Sequence, residues 1–481
     1  MPAFPRIPAL LALAALLLAL GAAANWRMPL NHDVSWLLYE AQAVLAGRRL
    51  YIDLPEINPP LIVWLNMAPA WLASVFGVAP GTVLRGLVLA LAAGSVCWSW
   101  RMLTRGGQHG PSGAAWLLGA AFAAGVAPGY DFGQREHLAL LACLPYLAGA
   151  LRRGDGAACG GRELAAAAVL AAVGLALKPH FALLPLLIEG WVAWRRRAWP
   201  GPSILLLALC AALYSVAVLL LVPEYLELLR LVAPSYTQYA GPQHWTGFVH
   251  SQDALRALLL LAAGVLLQPR LPLNRLLGLA GLAFAVAAIV QQKGWSYHWY
   301  PVYGLGWIAL AQSTAAILAA RQWRGRALAP PLLAGVLLAL AVGNLGLARQ
   351  IGLRHNPFPH RLSPVLYELG GGAVVVMARP ARAAFPLLAE PGIVPVSRMP
   401  TMGVLITAWQ AGDQPLMQLA RRAMAEDVRR TPPRLLVVER APDMPEGFDY
   451  VAFFSADPGL AAALRQFRLV RRVGHYEVLV R

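Results

Sequence analysis

The sequence has almost no lysine and few charged residues of any kind. Lysine occurs only at positions 178 and 293, although lysine and arginine together number 40. Charged residues make up 13% of the chain and hydrophobic residues 58%. An ordinary soluble domain carries about 25% charged residues, so the composition excludes that class. Because arginine is the usual cation here, the two lysines raise the question of what an arginine cannot do at those positions.

Several motifs of soluble catalytic domains are also missing. The four cysteines have no metal-site spacing and predict no disulfide framework, since three lie in apolar runs and Cys159 in a short loop. The chain has no Walker-type phosphate loop, no dinucleotide-binding fingerprint and no serine elbow. Soluble nucleotide chemistry at a cytoplasmic face is therefore unsupported.

Long apolar runs dominate what is present. Examples are ILLLALCAALYSVAVLLLV and PLLAGVLLALAVGNLGL, which match the length that a helix needs to cross a bilayer. Backbone groups in lipid must be satisfied internally, so these runs predict spanning helices. The first run, LLALAALLLALGAAA, follows Arg6 and suits either a cleaved signal peptide or a retained signal anchor. The many later spans favour the anchor.

The net charge of +17 is explained by arginine-rich loops between apolar runs, so no nucleic-acid partner is expected. Short basic loops face the cytoplasm in membrane proteins. Placing the loops at 105, 152, 195, 270 and 321 there predicts eleven spans, with the N-terminus inside and the C-terminus outside. The fold class is thus a polytopic α-helical membrane protein with about 11 transmembrane helices. They lie near 7–24, 83–103, 113–129, 136–151, 164–177, 180–194, 203–222, 254–268, 276–291, 299–320 and 329–347.

The apolar segment 61–78 is not counted as a span, because a crossing there would place the Arg105 loop outside. Its prolines, Asn66 and two tryptophans suit a helix that lies at the membrane interface. The outer side then receives the loop 25–82 and the loops near 131, 178, 240 and 295, with both lysines. Polar chemistry is gathered on one face, which a uniform scaffold would not need.

The character of the chain changes after about residue 350. Segments GAVVVMA, PRLLVVER and FRLVRRVGHYEVLVR alternate apolar and polar residues like strands, and PLMQLARRAMAEDVRR predicts a helix between them. We therefore predict a transmembrane domain over 1–350 and a C-terminal soluble α/β domain over 351–481 on the outer face.

Candidate catalytic residues begin in the first outer loop. Its HDVSWLLYEAQAVL segment predicts an amphipathic helix on the membrane surface, with Tyr39 on its face and Asp33 near its start. Asp33 is either an N-cap, which accepts bonds from free backbone N–H groups, or a base that accepts a proton from an attacking group. His32 is a metal ligand or an interfacial side chain. Glu56 and Asn58 lie at a Pro-Pro-Leu turn, where a solvated loop charge is the alternative.

Three further outer loops carry ionisable groups. YDFGQREHL contains four of them in seven residues, either as a paired interfacial belt or as a functional group, since charges near lipid are usually paired or functional. In LKPHF, a lysine and a histidine flank a proline, and the alternative is a snorkelling cation. QQKGWSYHWYP joins cations to an aromatic belt. The candidates are Asp131, Arg135, Glu136, His137, Lys178, His180, Lys293, Tyr297 and His298.

These features resemble the GT-C superfamily of membrane glycosyltransferases, which includes protein O-mannosyltransferases and aminoarabinose–lipid A transferases. The matching features lie within 1–350: an early acidic residue in a long first outer loop, a Pro-Pro-Leu turn, an apolar non-spanning segment and Arg85 before the second span. Many relatives carry an acidic pair at the first position, but here Val34 follows Asp33. This departure leaves metal binding there open, so a divalent metal ion is only a possible cofactor.

The resemblance implies inverting transfer of a sugar from a polyprenyl-phosphate carrier to a periplasmic lipid, glycan or protein acceptor. Asp33 would be the catalytic base, and Arg135, Lys178, Lys293 and His298 would bind the donor phosphate. Abundant arginine and alanine suggest a GC-rich bacterial genome and hence the inner membrane, with the active site facing the periplasm. The alternatives are a transporter or flippase for lipid-linked sugars, an O-antigen ligase or polymerase, and a non-enzymatic assembly scaffold.

Overall fold

The computed structural model describes residues 7–105, 110–157, 159–199, 201–239, 251–320 and 362–481. The chain is mostly helical, with one small sheet near its C-terminus. It divides into two compact units. The helical unit comprises the described residues of Met1–Pro29, Gly77–Ala217 and Gln243–His355. The α/β unit comprises those of Leu30–Phe76, Val218–Pro242 and Asn356–Arg481.

The helices are numbered in chain order. Those before residue 321 are α1 Ile7–Arg27, α2 His32–Leu45, α3 Leu61–Phe76, α4 Pro80–Thr104, α5 Pro111–Ala121, α6 Arg135–Gly154, α7 Gly161–Leu175, α8 Leu183–Arg196, α9 Pro202–Leu221, α10 Glu224–Gln238, α11 Gln252–Leu266, α12 Pro272–Val290 and α13 Tyr300–Ala320. The C-terminal helices are α14 Leu362–Glu368, α15 Ala381–Ala384, α16 Gly403–Ala411, α17 Gln414–Arg430, α18 Tyr450–Phe454 and α19 Pro458–Leu464.

A helix overlaps every predicted span between residues 7 and 320, and the predicted span 329–347 falls outside the described residues. Within the described part of the chain, five helices are long and apolar enough to cross a membrane: Ile7–Arg27, Pro80–Thr104, Pro202–Leu221, Pro272–Val290 and Ser296–Ala320. The prediction of a multi-pass helical membrane protein is therefore confirmed. The count of about eleven crossings and their direction stay predictions.

Glycine lets α1 approach the end of α5 very closely. A Cβ atom built on Gly21 would lie 2.1 Å from the carbonyl oxygen of Gly125. Gly125 lies in the π-helical turn Phe122–Val126 that follows α5. Small residues allow this kind of backbone contact between membrane helices, so the chain is packed here without intervening side chains.

Among the candidate site residues, His137 has a structural role, because it is bound to the π-helical turn. The carbonyl oxygen of Ala124 accepts from Nε2 of His137 at 2.9 Å, and Nδ1 of His137 accepts from the Gly133 N–H at 3.0 Å. Both ring nitrogens of His137 are thus used within the protein. The hydroxyl of Tyr300 donates to the neighbouring carbonyl of Ala123. His137 therefore fixes the α5–α6 connection, and we leave it out of the substrate site.

The sheet of the α/β unit has five strands, β1 Gly372–Met377, β2 Ile393–Pro395, β3 Leu435–Glu439, β4 Arg468–Val473 and β5 Tyr476–Val480. Their order across the sheet is β2-β1-β3-β5-β4. Strand β1 runs parallel to β2 and β3, whereas β5 is antiparallel to β3 and β4. The strands predicted from GAVVVMA, PRLLVVER and the final hairpin are confirmed, as is the helix that becomes α17.

Helix α2 packs on the core beneath this sheet. The Trp36 ring stacks parallel to the Phe385 ring with centroids 6.2 Å apart, and the Tyr39 ring lies 5.6 Å from Phe385. Both aromatic rings adjoin a buried cluster that includes Val374 and Leu435. The prediction of a helix here is confirmed, but its aromatic side chains contact the α/β unit. The position of this helix at the membrane surface stays a prediction.

Candidate functional site

The helical unit brings together all four residues that the sequence predicts to bind the donor phosphate. With Glu136 they form a group that we call the cation cluster; it comprises Arg135, Glu136, Lys178, Lys293 and His298. Arg135 and Glu136 are the first two residues of α6. Lys178 has an extended backbone conformation and lies between α7 and the turn Pro179–Ala182. Lys293 lies in the loop after α12, and His298 lies in the turn Ser296–Trp299. Three separate connections between helices thus contribute to one cluster.

Glu136 is the central acceptor of the cation cluster. The ammonium of Lys178 donates to Glu136 Oε1 at 2.5 Å and to Gln291 Oε1 at 2.8 Å. Nε2 of His298 lies 3.8 Å from the same Glu136 oxygen. The ion-pair partner of Glu136 is thus Lys178, which is 42 residues away in the sequence.

His298 is placed to interact with a ligand. Its side chain is buried, and within the described ranges neither ring nitrogen has a hydrogen-bond partner. Lys178, Arg135, His180 and Lys293 all lie within electrostatic range of the ring. The ring of Tyr297 packs edge-on against it at 4.7 Å. A buried histidine with two unused nitrogens is unusual, because buried polar groups normally find partners.

Cations predominate among the five members of the cation cluster. Arg135, Lys178 and Lys293 are all buried, as is Glu136. Asp131 lies in the turn just before α6. Burial lowers the pKa of Lys293 to about 8, because desolvation disfavours an ammonium. Cations in a buried setting are strong hydrogen-bond donors to anions, so a group of three buried cations suits an anionic ligand.

The other candidates of these loops lie around the cluster. Tyr297 is buried, and its ring centre is 5.4 Å from the Lys178 ammonium. His180 is exposed. Gln291 had not been predicted as a site residue, although it stands at the start of the singled-out stretch. Its amide also donates to the carbonyl of Ala287 at 2.8 Å, which fixes the oxygen that receives Lys178.

Asp33 lies in the α/β unit, in the first turn of α2. The N-cap of α2 is Asn31, whose side-chain oxygen accepts from the Asp33 N–H at 2.9 Å. The interpretation of Asp33 as the N-cap is therefore wrong, and its carboxylate is not occupied by that role. Oδ1 of Asp33 lies 3.5 Å from Nε2 of His32. The neighbouring imidazole is thus a polar contact of the candidate base.

Two carboxyl groups in the segment 25–82 are also buried. Glu56 is fully buried, and its Oε1 accepts from the backbone N–H and the side-chain amide of Asn58, both at 2.6 Å. Glu40 is also buried, and its Oε1 accepts from the indole of Trp36 at 2.8 Å. The idea of a solvated charge at Glu56 is therefore wrong. Tyr39 accepts a bond from Arg48 at 3.3 Å, and burial raises its pKa.

Glu40 should make the stability of the α/β unit fall as the pH rises above 4.5. Burial, and then the charge and hydrogen bond of Glu56, raise the pKa of Glu40 well above 4.5. A raised folded-state pKa means that its protonation stabilises the fold at low pH and that this stability is lost as the pH rises. We expect Glu40→Gln to reduce the slope with which the free energy of unfolding falls as the pH rises, by up to about 1.4 kcal/mol per pH unit. Thermal unfolding across a pH series measures it.

The matched control for this prediction is Glu446→Gln, which changes an exposed glutamate of the same unit. That variant should follow the wild-type dependence of unfolding temperature on pH. A Glu40→Gln protein that loses stability with pH as steeply as wild type would contradict the raised pKa.

Within the described residues, no three His, Cys, Asp or Glu side chains are grouped closely enough to hold a metal ion. We therefore assign no residue to a metal.

The fold and the cluster define a multi-pass membrane protein with a small α/β unit and buried polar residues at the ends of its helices. No protein-family model matches the sequence, and no curated protein is similar to it. Among solved structures, the chain is similar to the arabinofuranosyltransferase AftD from Mycobacteria, with 16% identity and a TM-score of 0.47. The similarity covers 99% of this chain, which spans 40% of the length of that one.

Proposed function

We propose that this protein is a membrane glycosyltransferase that moves a sugar from a polyprenyl-phosphate carrier to a lipid, glycan or protein acceptor. The observation that carries the proposal is the buried His298, whose ring nitrogens have no hydrogen-bond partner among the described residues, within a group of three buried cations. A lipid phosphate offers oxygen acceptors and negative charge to the buried cations and to the unpartnered nitrogens of His298. Its polyprenyl tail is compatible with the surrounding membrane helices.

In the proposed reaction, the acceptor attacks the anomeric carbon in a single inverting displacement. Asp33 takes the proton from the acceptor hydroxyl, and the new bond forms between that oxygen and the anomeric carbon. The bond from this carbon to the phosphate oxygen breaks, and the polyprenyl phosphate leaves with one more negative charge. Lys178, Lys293 and Arg135 bind that charge, which is greatest after the bond has broken. Glu136 and Gln291 hold the Lys178 ammonium in position.

The proposed location is the bacterial inner membrane, with the reaction on the periplasmic side. The arginine-rich loops support this orientation, because they would then face the cytoplasm. In that orientation the loops that carry both lysines share a side with the first loop that carries Asp33. Nothing in the proposal requires a soluble nucleotide sugar, and the sequence has no motif for one.

A strain that lacks this protein should lose one sugar from its surface glycans or glycolipids. Mass spectrometry of both fractions identifies the donor sugar and the acceptor together, and the wild-type gene should restore the sugar. The matching purified reaction uses the protein in lipid nanodiscs with polyprenyl-phosphate sugars. Unchanged glycans in the deletion strain, together with uptake of lipid-linked sugar into vesicles, would contradict the transferase function and indicate a transporter.

A further inference from the structure

The α/β unit has a topological switch point that the proposed donor site does not use. From β1 the chain moves to β2 on one side, and it later moves to β3 on the other side of β1. All three strands are parallel. In open α/β sheets, ligands bind beyond the carboxyl ends of the strands where the order reverses. That point here lies between β1 and β3.

An ion pair between a buried carboxylate and a partly exposed arginine occupies the carboxyl ends of these two strands. Glu439 is the last residue of β3 and is buried, and its Oε2 accepts from the Arg379 N–H at 2.6 Å. Arg379 comes two residues after β1, and its Nη2 lies 3.5 Å from Glu439 Oε1. The same Nη2 donates to both carboxylate oxygens of Asp443 at 2.8 Å. The pair therefore bridges the two strands at the switch point.

Tyr239, which follows α10, lies at the same edge. Its ring packs so closely on Gly403 that a Cβ there would lie 2.3 Å from the ring. The segment before Gly403 is bonded to the chain after β1, because the Met402 N–H donates to the Ala378 carbonyl at 2.8 Å. The phenol of Tyr239 is also within electrostatic range of Asp33, Arg379 and Glu439. The candidate base is thus close to the switch point.

Tyr450 supplies a polar group with no assigned partner. Its side chain is 1% exposed, and among the residues that the structure describes its hydroxyl has no hydrogen-bond partner. The nearby charges are those of Glu439 and Arg379, and Tyr239 is also a neighbour. Burial raises its pKa, so the phenol keeps its proton and can donate. An unused buried hydroxyl beside the Arg379–Glu439 ion pair indicates a missing hydrogen-bond partner.

We propose that this crevice, which we call the switch-point crevice, binds hydroxyl groups of a neutral carbohydrate acceptor. The residues that would line it are Asp33, Tyr239, Arg379, Glu439 and Tyr450. The proposal rests on the function proposed above and assigns the acceptor class, a glycan, to the side of the candidate base. Sugar hydroxyls both donate and accept, which matches a set of carboxylates, phenols and one guanidinium.

Charge separates this crevice from the cation cluster. Of the charged residues named for this crevice, Asp33, Glu439 and Asp443 are carboxylates and Arg379 is a cation. A phosphate would be repelled by this surplus of negative charge, whereas a neutral glycan would not. The two groups of residues therefore differ in the sign of the charge that they accept, as donor and acceptor sites of this reaction should.

The test uses the full chain in nanodiscs and Tyr450→Phe, with Tyr367→Phe as the matched control. Tyr367 is 45% exposed, and its hydroxyl is bound to the Pro391 carbonyl. Saturation-transfer NMR with methyl glycosides of neutral sugars should show binding to wild type and to the control. We expect Tyr450→Phe to weaken it about three- to tenfold, the value of one lost hydrogen bond. Its unfolding temperature should not fall, because the hydroxyl has no partner to lose.

Inorganic phosphate, followed by ³¹P line broadening, is the second probe. Its binding should be unchanged in Tyr450→Phe and in Glu439→Gln, with Glu368→Gln as the exposed control for the latter. Unchanged glycoside binding in both Tyr450→Phe and Glu439→Gln would contradict the proposed glycan site. Binding of a short peptide instead of any glycoside would also contradict it. Neither result would contradict the proposed glycosyltransferase function. If purified protein binds glycosides but transfers no sugar, the proposed function fails and the crevice stands.

Discussion

Asp33→Asn will abolish sugar transfer and leave the abundance and folding of the protein unchanged. Loss of a general base lowers the rate by about 10²- to 10⁴-fold, and asparagine at this position cannot take a proton. Helix α2 should still form, because its N-cap is Asn31 and not Asp33. The measurement is the rate of sugar transfer by purified protein, with the unfolding temperature and membrane abundance recorded in parallel.

Asp53→Asn is the matched control for this experiment. It makes the same change in the same outer loop, at a carboxylate bound by the Arg49 N–H at 2.9 Å. This hydrogen bond lowers the pKa of Asp53, so the group is a poor base. Its variant should keep nearly normal transfer. Full activity of Asp33→Asn would remove the base assignment, whereas equal losses in both variants would indicate a general effect of the loop.

Lys293→Ala will reduce transfer by about 100-fold, and Lys293→Arg by about tenfold. A buried charge-assisted hydrogen bond is worth about 1.5 to 3 kcal/mol, and each 1.4 kcal/mol is a factor of ten. Arginine keeps the charge, but its planar fork is larger than an ammonium and does not fit a site built for a point cation. The effect should lie mainly in the affinity for the lipid-phosphate donor. Donor titrations in nanodiscs measure it.

The pH dependence of transfer gives an independent measurement for the same residue. The pKa of Lys293 is lowered to about 8, so the ammonium is lost as the pH rises past that value. Since the charged form binds the donor, kcat/KM should fall on the alkaline side of pH 8 in the wild type. Lys293→Arg should lose this fall, because arginine stays protonated. Arg196→Lys, at an exposed site, serves as the control; wild-type rates and an unchanged profile in Lys293→Arg would contradict the role.

The sequence predicted which residues belong to the cation cluster better than it predicted the contacts among them. Both lysines stood out because arginine fills the other cationic positions, and the charge-derived topology placed them on one side. The structure adds that Lys178 and Gln291 are bonded to each other and that Lys178 also bonds Glu136. Those partners come from three loops far apart in sequence. Local patterns carry no signal for such pairings, so Gln291 was missed and Glu136 had no definite role.

The strands and helices of the C-terminal part of the α/β unit could be predicted from the sequence, but not which other stretches of the chain belong to this unit. Alternating residues fixed four of the strands, because each strand has a local period. That helix α2 belongs to this unit depends on Phe385, whose contact with Trp36 joins distant parts of the chain. Glu40 was missed because it looks like a surface residue of an amphipathic helix. Tyr239, Glu439 and Tyr450 were missed because they adjoin one another only in the folded unit.

The α/β unit is assembled from three stretches of chain, of which Leu30–Phe76 is synthesised first and Asn356–Arg481 last. At the usual speed of translation, roughly 5–20 residues per second, helix α2 waits for about 20 to 70 seconds before Phe385 has been made. Until then the segment that carries Asp33 has no folded sheet to rest on. The order of synthesis should therefore delay activity. While the chain is still being inserted, the residues that surround the proposed base Asp33 in the folded α/β unit have not all been made.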